Sequence, residues 1–410
     1  MVMKMQQLLN RRMAVCLVGG FSSGLPLFMF IYLLPAWMQS YALNLHTIAA
    51  ASLFMLPYSL KFLWAPLLDR YRLTRLGRRR SWILLCLFAL TLGFNALGHR
   101  PATASAWVSF WGLFCAFFSA SMDTAIDALR REILSDEELG LGSALHVNAY
   151  KVASLVPGSF ALILSDHLPW SEVFSLCSLF LLPAVLMLLW IDEPPARHGR
   201  PDSLKEAVQA PLQEFFSRHG RRQALAILAF ILLYKLGDGM ATTLATPFYL
   251  QLGYSRTLIG LVAKQAGLLA SIAGGLLGGL WMLRLGITRA LYGFGVAQAA
   301  SILGFVLLSL HPGGVSTLAL VIAAEAFGVG LGTTALVAYL AQQTDPRHTA
   351  TQFALLTSLA ALPRSLFNAS SGWCVEHWGW TLYFIFCLGL SLPAFLLLRY
   401  VAPWPRVGSS

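Results

Sequence analysis

Residues 13–37, MAVCLVGGFSSGLPLFMFIYLLPAW, contain no Asp, Glu, Lys, Arg or His. A helix crossing a hydrocarbon core about 30 Å thick needs roughly 20 mostly apolar residues, and this stretch is long enough. Lys4, Arg11 and Arg12 precede it, as in a secretory leader. A cleaved leader, however, has an apolar run of only roughly 7–15 residues followed by a small-x-small site. Neither condition is met, so the stretch reads as an uncleaved first span. Pro26 inside it would break a soluble helix; in lipid, neighbouring helices re-satisfy the freed backbone groups.

The pattern repeats along all 410 residues. Further spans are expected at 46–68, 80–98, 104–129, 141–165, 170–191, 223–250, 256–283, 287–310, 315–341, 350–373 and 378–402, twelve in all. The chain is 57% hydrophobic and 11% charged, against about 25% charged in a soluble domain. Cys16, Cys86, Cys115, Cys177, Cys374 and Cys387 all fall in apolar blocks without metal-ligand spacing. They read as small buried side chains, and no metal or cofactor is expected.

The connections set the orientation. Odd-numbered ones are nearly free of positive charge: Arg100 lies in 99–103 and Arg256 borders 251–255. Even-numbered ones are basic. Residues 69–80 hold Arg70, Arg72, Arg75, Arg78, Arg79 and Arg80. Arg130 and Arg131 follow, then Arg197, Arg200, Lys205, Arg218, Arg221 and Arg222 in the long connection. Arg284, Arg289, Arg347, Arg399 and Arg406 complete the set. Positive charge marks the cytoplasmic side, so both termini are expected there. The net charge of +11 is thus a topology signal and a contact for anionic lipid, with no nucleic acid implied. Domains are expected at 1–191 (six helices), 192–222 (cytoplasmic linker, with a short amphipathic helix at 204–217) and 223–410 (six helices). The halves repeat weakly: Phe21-Ser-Ser-Gly-Leu-Pro26 in span 1 faces Leu236-Gly-Asp-Gly-Met240 in span 7. Two similar six-helix halves form the all-α major facilitator plan, with the substrate near mid-membrane between them.

A charge inside the bilayer costs at least about 2.5–3.5 kcal/mol on insertion scales, so each one needs a reason. Asp123 and Asp127 in span 4 share one helix face at i, i+4. Asp127 is readable as a rim anchor paired to Arg130 or Arg131. Asp123 is readable as a proton carrier or as the partner of Lys151, which lies about 15 Å into span 5 near Tyr150 and His146. Lys235 and Asp238 are spaced to neutralise each other. Glu325 in span 10 is a proton-coupling candidate that Arg364 or Lys264 would also pair. Lys61 sits near the cytoplasmic end of span 2. The basic groups favour an anionic or zwitterionic substrate. No nucleotide-binding Gly-Lys loop, serine elbow or His pair at metal spacing occurs, so neither an ATP-driven pump nor an enzyme is expected. Gly274/Gly278 and Gly275/Gly279 form small-x-x-x-small pairs suited to close helix packing.

Lys61-Phe-Leu-Trp-Ala-Pro-Leu-Leu-Asp-Arg-Tyr71, followed by Leu76-Gly-Arg-Arg-Arg-Ser-Trp82, resembles the loop between spans 2 and 3 of the AmpG muropeptide permeases and of the related acetyl-coenzyme A transporters. Ser119-Ala-Ser-Met-Asp-Thr-Ala-Ile-Asp-Ala128, Tyr234-Lys-Leu-Gly-Asp238, Glu325 and Thr349 through Arg364 are also similar to that family, and the resemblance covers essentially the whole chain. Met122 stands where the family usually has Gln, and Lys151 where Arg is common. The chain is also shorter than members with extra spans.

The resemblance implies proton-driven import of anhydromuropeptides, sugar–peptide fragments of cell-wall turnover, across a bacterial inner membrane. The expected roles are Asp123 and Glu325 for proton coupling, and Lys151, Lys235, Arg364, Tyr150 and Trp37 for substrate. The cytoplasmic gate is expected to comprise Lys61, Asp69, Arg70, Arg78, Arg79, Arg80 and Asp127. A monomer is expected. The alternative is the same fold carrying, or exporting, an acyl-coenzyme A or a drug.

Overall fold

The computed structural model describes residues 10–43, 47–48, 51–191, 204–255, 258–259, 263–345 and 347–402. Arg197, Arg200, Arg256 and Arg406, and the side chains of Lys205, Lys264 and Arg364, lie outside the described residues. The helices are α1 Arg11–Ser40, α2 Leu53–Leu63, α3 Ala65–Arg70, α4 Arg78–Gly98, α5 Ser105–Ile133, α6 Leu139–Ser165 and α7 Trp170–Trp190. They continue with α8 Leu204–His219, α9 Arg221–Gln251, α10 Leu268–Leu310, α11 Val315–Gln342, α12 Thr349–Leu390 and α13 Leu392–Val401. Among the described residues there is no strand, only an isolated bridge between Thr74 and Gly77.

Nine helices among the described residues are long and apolar enough to cross a membrane. They fall where spans were expected, with two differences of form. Spans 8 and 9 run together in α10, and spans 11 and 12 in α12. Each turns at a glycine with a left-handed backbone, Gly286 (φ 72°) and Gly379 (φ 74°). A Cβ would disfavour that conformation, so the connection is a single-residue corner. Span 2, by contrast, is broken into short pieces, with a 3-10 turn at Lys61–Leu63 ahead of Pro66. Proline also loosens α1 and α6: π turns follow Pro26 at Met29–Leu33 and include Pro157 at Val156–Phe160. The expected linker helix is present as α8, longer than predicted, with Pro211 inside it.

The chain sorts into two compact units. One comprises Met1–Ser135, Leu145–Leu212 and Thr344–Ser358; the other comprises Asp136–Ala144, Gln213–Gln343 and Leu359–Ser410. In the first, α1 lies directly on α6. A Cβ at Gly24 would come within 2.6 Å of the Tyr150 carbonyl. In the second, an aromatic core of Phe248, Phe305, Tyr383 and Phe384 sits beside Met240 and Ile302. The small-residue stripe of α10 packs against α11, where a Cβ at Gly274 would overlap the Phe327 carbonyl. All six cysteines are buried and free.

Because that overlap is with backbone, the helices themselves must separate to admit a side chain. Gly274→Leu is expected to lower stability by about 1–3 kcal/mol, the usual cost of overpacking. The loss should appear as a lower Tm in detergent, whereas Gly293→Leu, with open space around its Cβ position, should leave Tm nearly unchanged.

Candidate functional site

The first unit buries a polar cluster around Asp123. Its Oδ2 accepts a bond from Lys61 Nζ at 2.6 Å, and the two side chains are 14% and 7% exposed. Its Oδ1 accepts from the Ser23 hydroxyl of α1. One turn along α5, Asp127 Oδ1 accepts from Arg130 Nη2 at 2.9 Å and lies 3.6 Å from His146 Nε2 of α6. Around them Tyr58 donates to Ser119 Oγ at 2.6 Å, and Trp64 Nε1 donates to Ser121 Oγ at 2.9 Å. The broken form of span 2 accounts for this arrangement. The 3-10 turn begins at Lys61, with Tyr58 just before it and Trp64 just after. Tyr58 and Lys61 meet Ser119 and Asp123, which share a face of α5 at i, i+4, while Trp64 reaches Ser121.

The cation beside Asp123 is therefore Lys61, which the sequence had placed at the gate, and not Lys151. Asp127 pairs with Arg130, as the rim-anchor reading had it. Lys151 and Tyr150 are half-buried on α6, with Tyr150 edge-on to Phe28 at 5.4 Å. Trp37 was expected to face cargo. It has no exposed surface and packs edge-on against Phe174 at 5.3 Å, so here it is a core residue.

In the second unit, α9 breaks at Lys235, whose φ and ψ are −106° and 3°. Its Nζ lies 2.9 Å from Asp238 Oδ2, forming the i, i+3 pair expected from spacing. It also donates to Gln298 Oε1 of α10 and Thr333 Oγ1 of α11, each at 3.3 Å. Glu325 is half-buried on α11, within electrostatic reach of Tyr249.

The third cluster closes around the loop after α3. Asp69 is 1% exposed. Its Oδ1 accepts from Arg79 Nη2 at 2.6 Å and from the Ala350 N–H at 3.2 Å, and its Oδ2 accepts from Thr351 N–H at 2.8 Å and Thr351 Oγ1 at 2.6 Å. It thus satisfies open donors at the start of α12, as an N-cap does. Arg79 is fully buried; it also donates to Glu132 at 2.6 Å and to the Leu68 carbonyl at 3.0 Å. Arg78 donates to the Asp69 carbonyl at 2.8 Å and to Glu132 at 3.1 Å. Burial alone would raise the Asp69 carboxyl, but the guanidiniums of Arg79 and Arg78 and the Thr351 hydroxyl hold it below the usual carboxylate range. Asp69 therefore stays charged at any physiological pH. Arg70 lies over the Tyr71 ring at 5.4 Å, and Arg80 is half-buried on α4.

Participants that went unassigned in the sequence include Ser23, Tyr58, Glu132, Gln298, Thr333 and Thr351. A lone Gln in the apolar run of span 9 was a visible signal for Gln298, and the excess of arginine in 70–80 called for an acid such as Glu132. Among the described residues no group of three or more His, Cys, Asp or Glu side chains is placed to hold a metal.

The description of the Major Facilitator Superfamily matches residues 16–368. The chain is 45% identical to an uncharacterized protein of Haemophilus influenzae over 97% of its own length and 96% of that protein. It is 39% identical to the anhydromuropeptide permease of Escherichia coli K12, over 97% of this chain and 82% of that one. A putative AmpG transporter of Rickettsia conorii is 31% identical over 93% and 94%. Among solved structures, the human organic anion transporter MFSD10 superposes with a TM-score of 0.73 at 18% identity, covering 95% of this chain and 99% of that one. The transporter FucP in its outward conformation superposes with a TM-score of 0.73 at 14% identity, covering 96% and 99%. With its helices, its buried ion pairs and these relatives, the chain belongs to the Major Facilitator Superfamily of multi-pass membrane transporters.

Proposed function

We propose that this protein is a proton-coupled permease that imports anhydromuropeptides from periplasm to cytoplasm across a bacterial inner membrane, with both termini cytoplasmic. The kinship with the Escherichia coli anhydromuropeptide permease over nearly the whole chain carries this reading. The chemistry agrees with it. Such cargo bears carboxylates and sugar rings; Lys151 and Lys235 are half-buried cations and Tyr150 a half-buried ring, and the sequence adds Arg364 within the expected span 11. Two six-helix halves, 1–191 and 223–410, rock about the 192–222 linker. Asp123 and Glu325 serve as proton sites. Protonation of Asp123 frees Lys61, because the ammonium loses its anionic partner. Asp69, with Arg78, Arg79 and Glu132, latches the start of α12 and remains ionised throughout the cycle.

Right-side-out vesicles holding the protein should accumulate labelled anhydromuropeptide, and an uncoupler should abolish accumulation. Uptake that ignores the uncoupler would remove proton coupling from the mechanism. Uptake of coenzyme A thioesters without muropeptide would favour the alternative cargo.

Removing one partner of a buried pair strands the other charge, at a cost of about 3–5 kcal/mol. Lys61→Met should therefore sharply lower the yield of folded protein. The double change Lys61→Met with Asp123→Asn should restore yield but not accumulation. Recovery of accumulation in the double variant would show that the pair is structural only.

At the latch, Asp69→Ala removes the acceptor of three donors at the start of α12. Uptake is expected to fall at least about tenfold while cargo affinity stays within about threefold. The comparison of initial rate with equilibrium binding checks this, and an equal loss of both would place Asp69 at the cargo instead.

A further inference from the structure

The pair on α9 has features that simple neutralisation does not require. An ammonium has three N–H donors, and Lys235 faces three acceptors: Asp238 Oδ2, Gln298 Oε1 and Thr333 Oγ1. Gln298 fits there because residue 332 is glycine; a Cβ would overlap its Oε1. Lys235 sits at a break in a membrane helix, the kind of irregular backbone that transporters place beside a cargo path. Its side chain remains 21% exposed, against 6% for Asp238. The carboxylate is the less comfortable member: Asp238 Oδ1 is buried without a hydrogen-bond partner.

An incoming carboxylate finds no spare donor on this ammonium and must displace an acceptor. If it displaces Gln298 or Thr333, two carboxylates face one cation in apolar surroundings, where like charges oppose each other's ionisation. If it displaces Asp238, the aspartate loses its only described cation and both of its oxygens lack partners. Either route is relieved by one proton.

Building on the muropeptide reading, we infer that a cargo carboxylate takes the place of Asp238 on Lys235, and that Asp238 accepts a proton as it is displaced. The exchange balances. An ammonium–carboxylate pair, a free carboxylate and a proton from water on the entry side become an ammonium–cargo pair and a neutral carboxylic acid. No bond within the cargo changes, the charge of the site is constant, and one proton travels with one carboxylate. Asp238 is thus the residue that takes up the proton at the cargo-binding step, with Asp123 and Glu325 acting at other steps of the cycle; Lys235 is the anchor, and Gln298 and Thr333 position the ammonium. Among the described residues, the other titratable groups recorded near this carboxyl are the Tyr234 phenol on α9 and the Cys387 thiol on α12, both types ordinarily uncharged at neutral pH. From α10 and α11 the groups reaching Lys235 are the neutral Gln298 and Thr333. Glu325 lies about 12 Å before Thr333 along α11.

The test uses purified full-length protein and a disaccharide–tetrapeptide anhydromuropeptide as the probe. Calorimetry in two buffers of different ionisation enthalpy counts protons taken up per ligand bound. The wild type should take up about one. Because the complex then holds one more proton than the free protein, affinity should fall by up to tenfold per unit rise in pH. Asp238→Asn should bind within about threefold of the wild type at low pH, with no proton uptake and a flat pH profile. Lys235→Met should lose at least about thirtyfold in affinity. Wild-type binding without proton uptake overturns the inference whatever the variants do, as does persistence of uptake in Asp238→Asn. Failure of the wild type to bind the probe overturns the muropeptide reading itself, and this inference with it.

Discussion

An ionised side chain inside a membrane protein must carry its counter-ion with it. Water is not there to solvate it, and the cost of leaving it bare exceeds what one helix contact returns. That constraint organises this chain. Asp123 is met by Lys61, Asp127 by Arg130, Asp238 by Lys235, and Asp69 with Glu132 by Arg78 and Arg79. Every pair but two joins different helices, so satisfying the charges also fixes which helices are neighbours. The two pairs within a helix, Asp127 with Arg130 and Lys235 with Asp238, each draw in groups from elsewhere: His146 in one case, Gln298 and Thr333 in the other.

Polar pairing and close packing are complementary in placing these groups. Small residues let backbones touch, as at Gly24 against Tyr150 and Gly274 against Phe327. Prolines do the opposite, loosening α1 and α6 into π turns and breaking span 2. The irregular stretches sit beside the polar side chains. Ser23 comes just before Pro26, Lys61 lies in a 3-10 turn, and Lys235 stands at a helix break. In an α-helix the direction of a side chain is set by its neighbours' register. At a break that register is released, and a lysine can be aimed at an acid on another helix or back along its own.

This explains what could be read from the sequence. Span positions follow from runs of apolar residues, a property of single segments, and the runs predicted them closely. Within-helix pairs such as Lys235–Asp238 follow from i, i+3 spacing. The Gly274 stripe predicted close packing of span 8 without naming its partner. Pairings between helices depend on rotation about the helix axis and on depth, neither of which a run of apolar letters encodes. Hence Lys61 was assigned by its position near a span end and stands at Asp123, and Glu132 was overlooked although two arginines converge on it. Trp37 shows the same gap: an aromatic near a span end is readable as a cargo platform or as core, and only the Phe174 contact decides.

The clusters differ in how completely each carboxylate is satisfied. Arg79 is fully buried and engages two carboxylates and a carbonyl, and both oxygens of Asp69 are bonded. Its carboxyl, held below the usual range, stays ionised at physiological pH, so protonation does not loosen this cluster. Asp123 likewise has both oxygens bonded, yet its partners are one ammonium and one hydroxyl, and only the ion pair with the ammonium depends on its charge. Asp238 has one oxygen bonded and one bare, beside a lysine that retains exposed surface. Ordered by how completely the carboxylate is satisfied, Asp69 comes first, Asp123 next and Asp238 last, and the least satisfied lies where the helix carrying it is already broken.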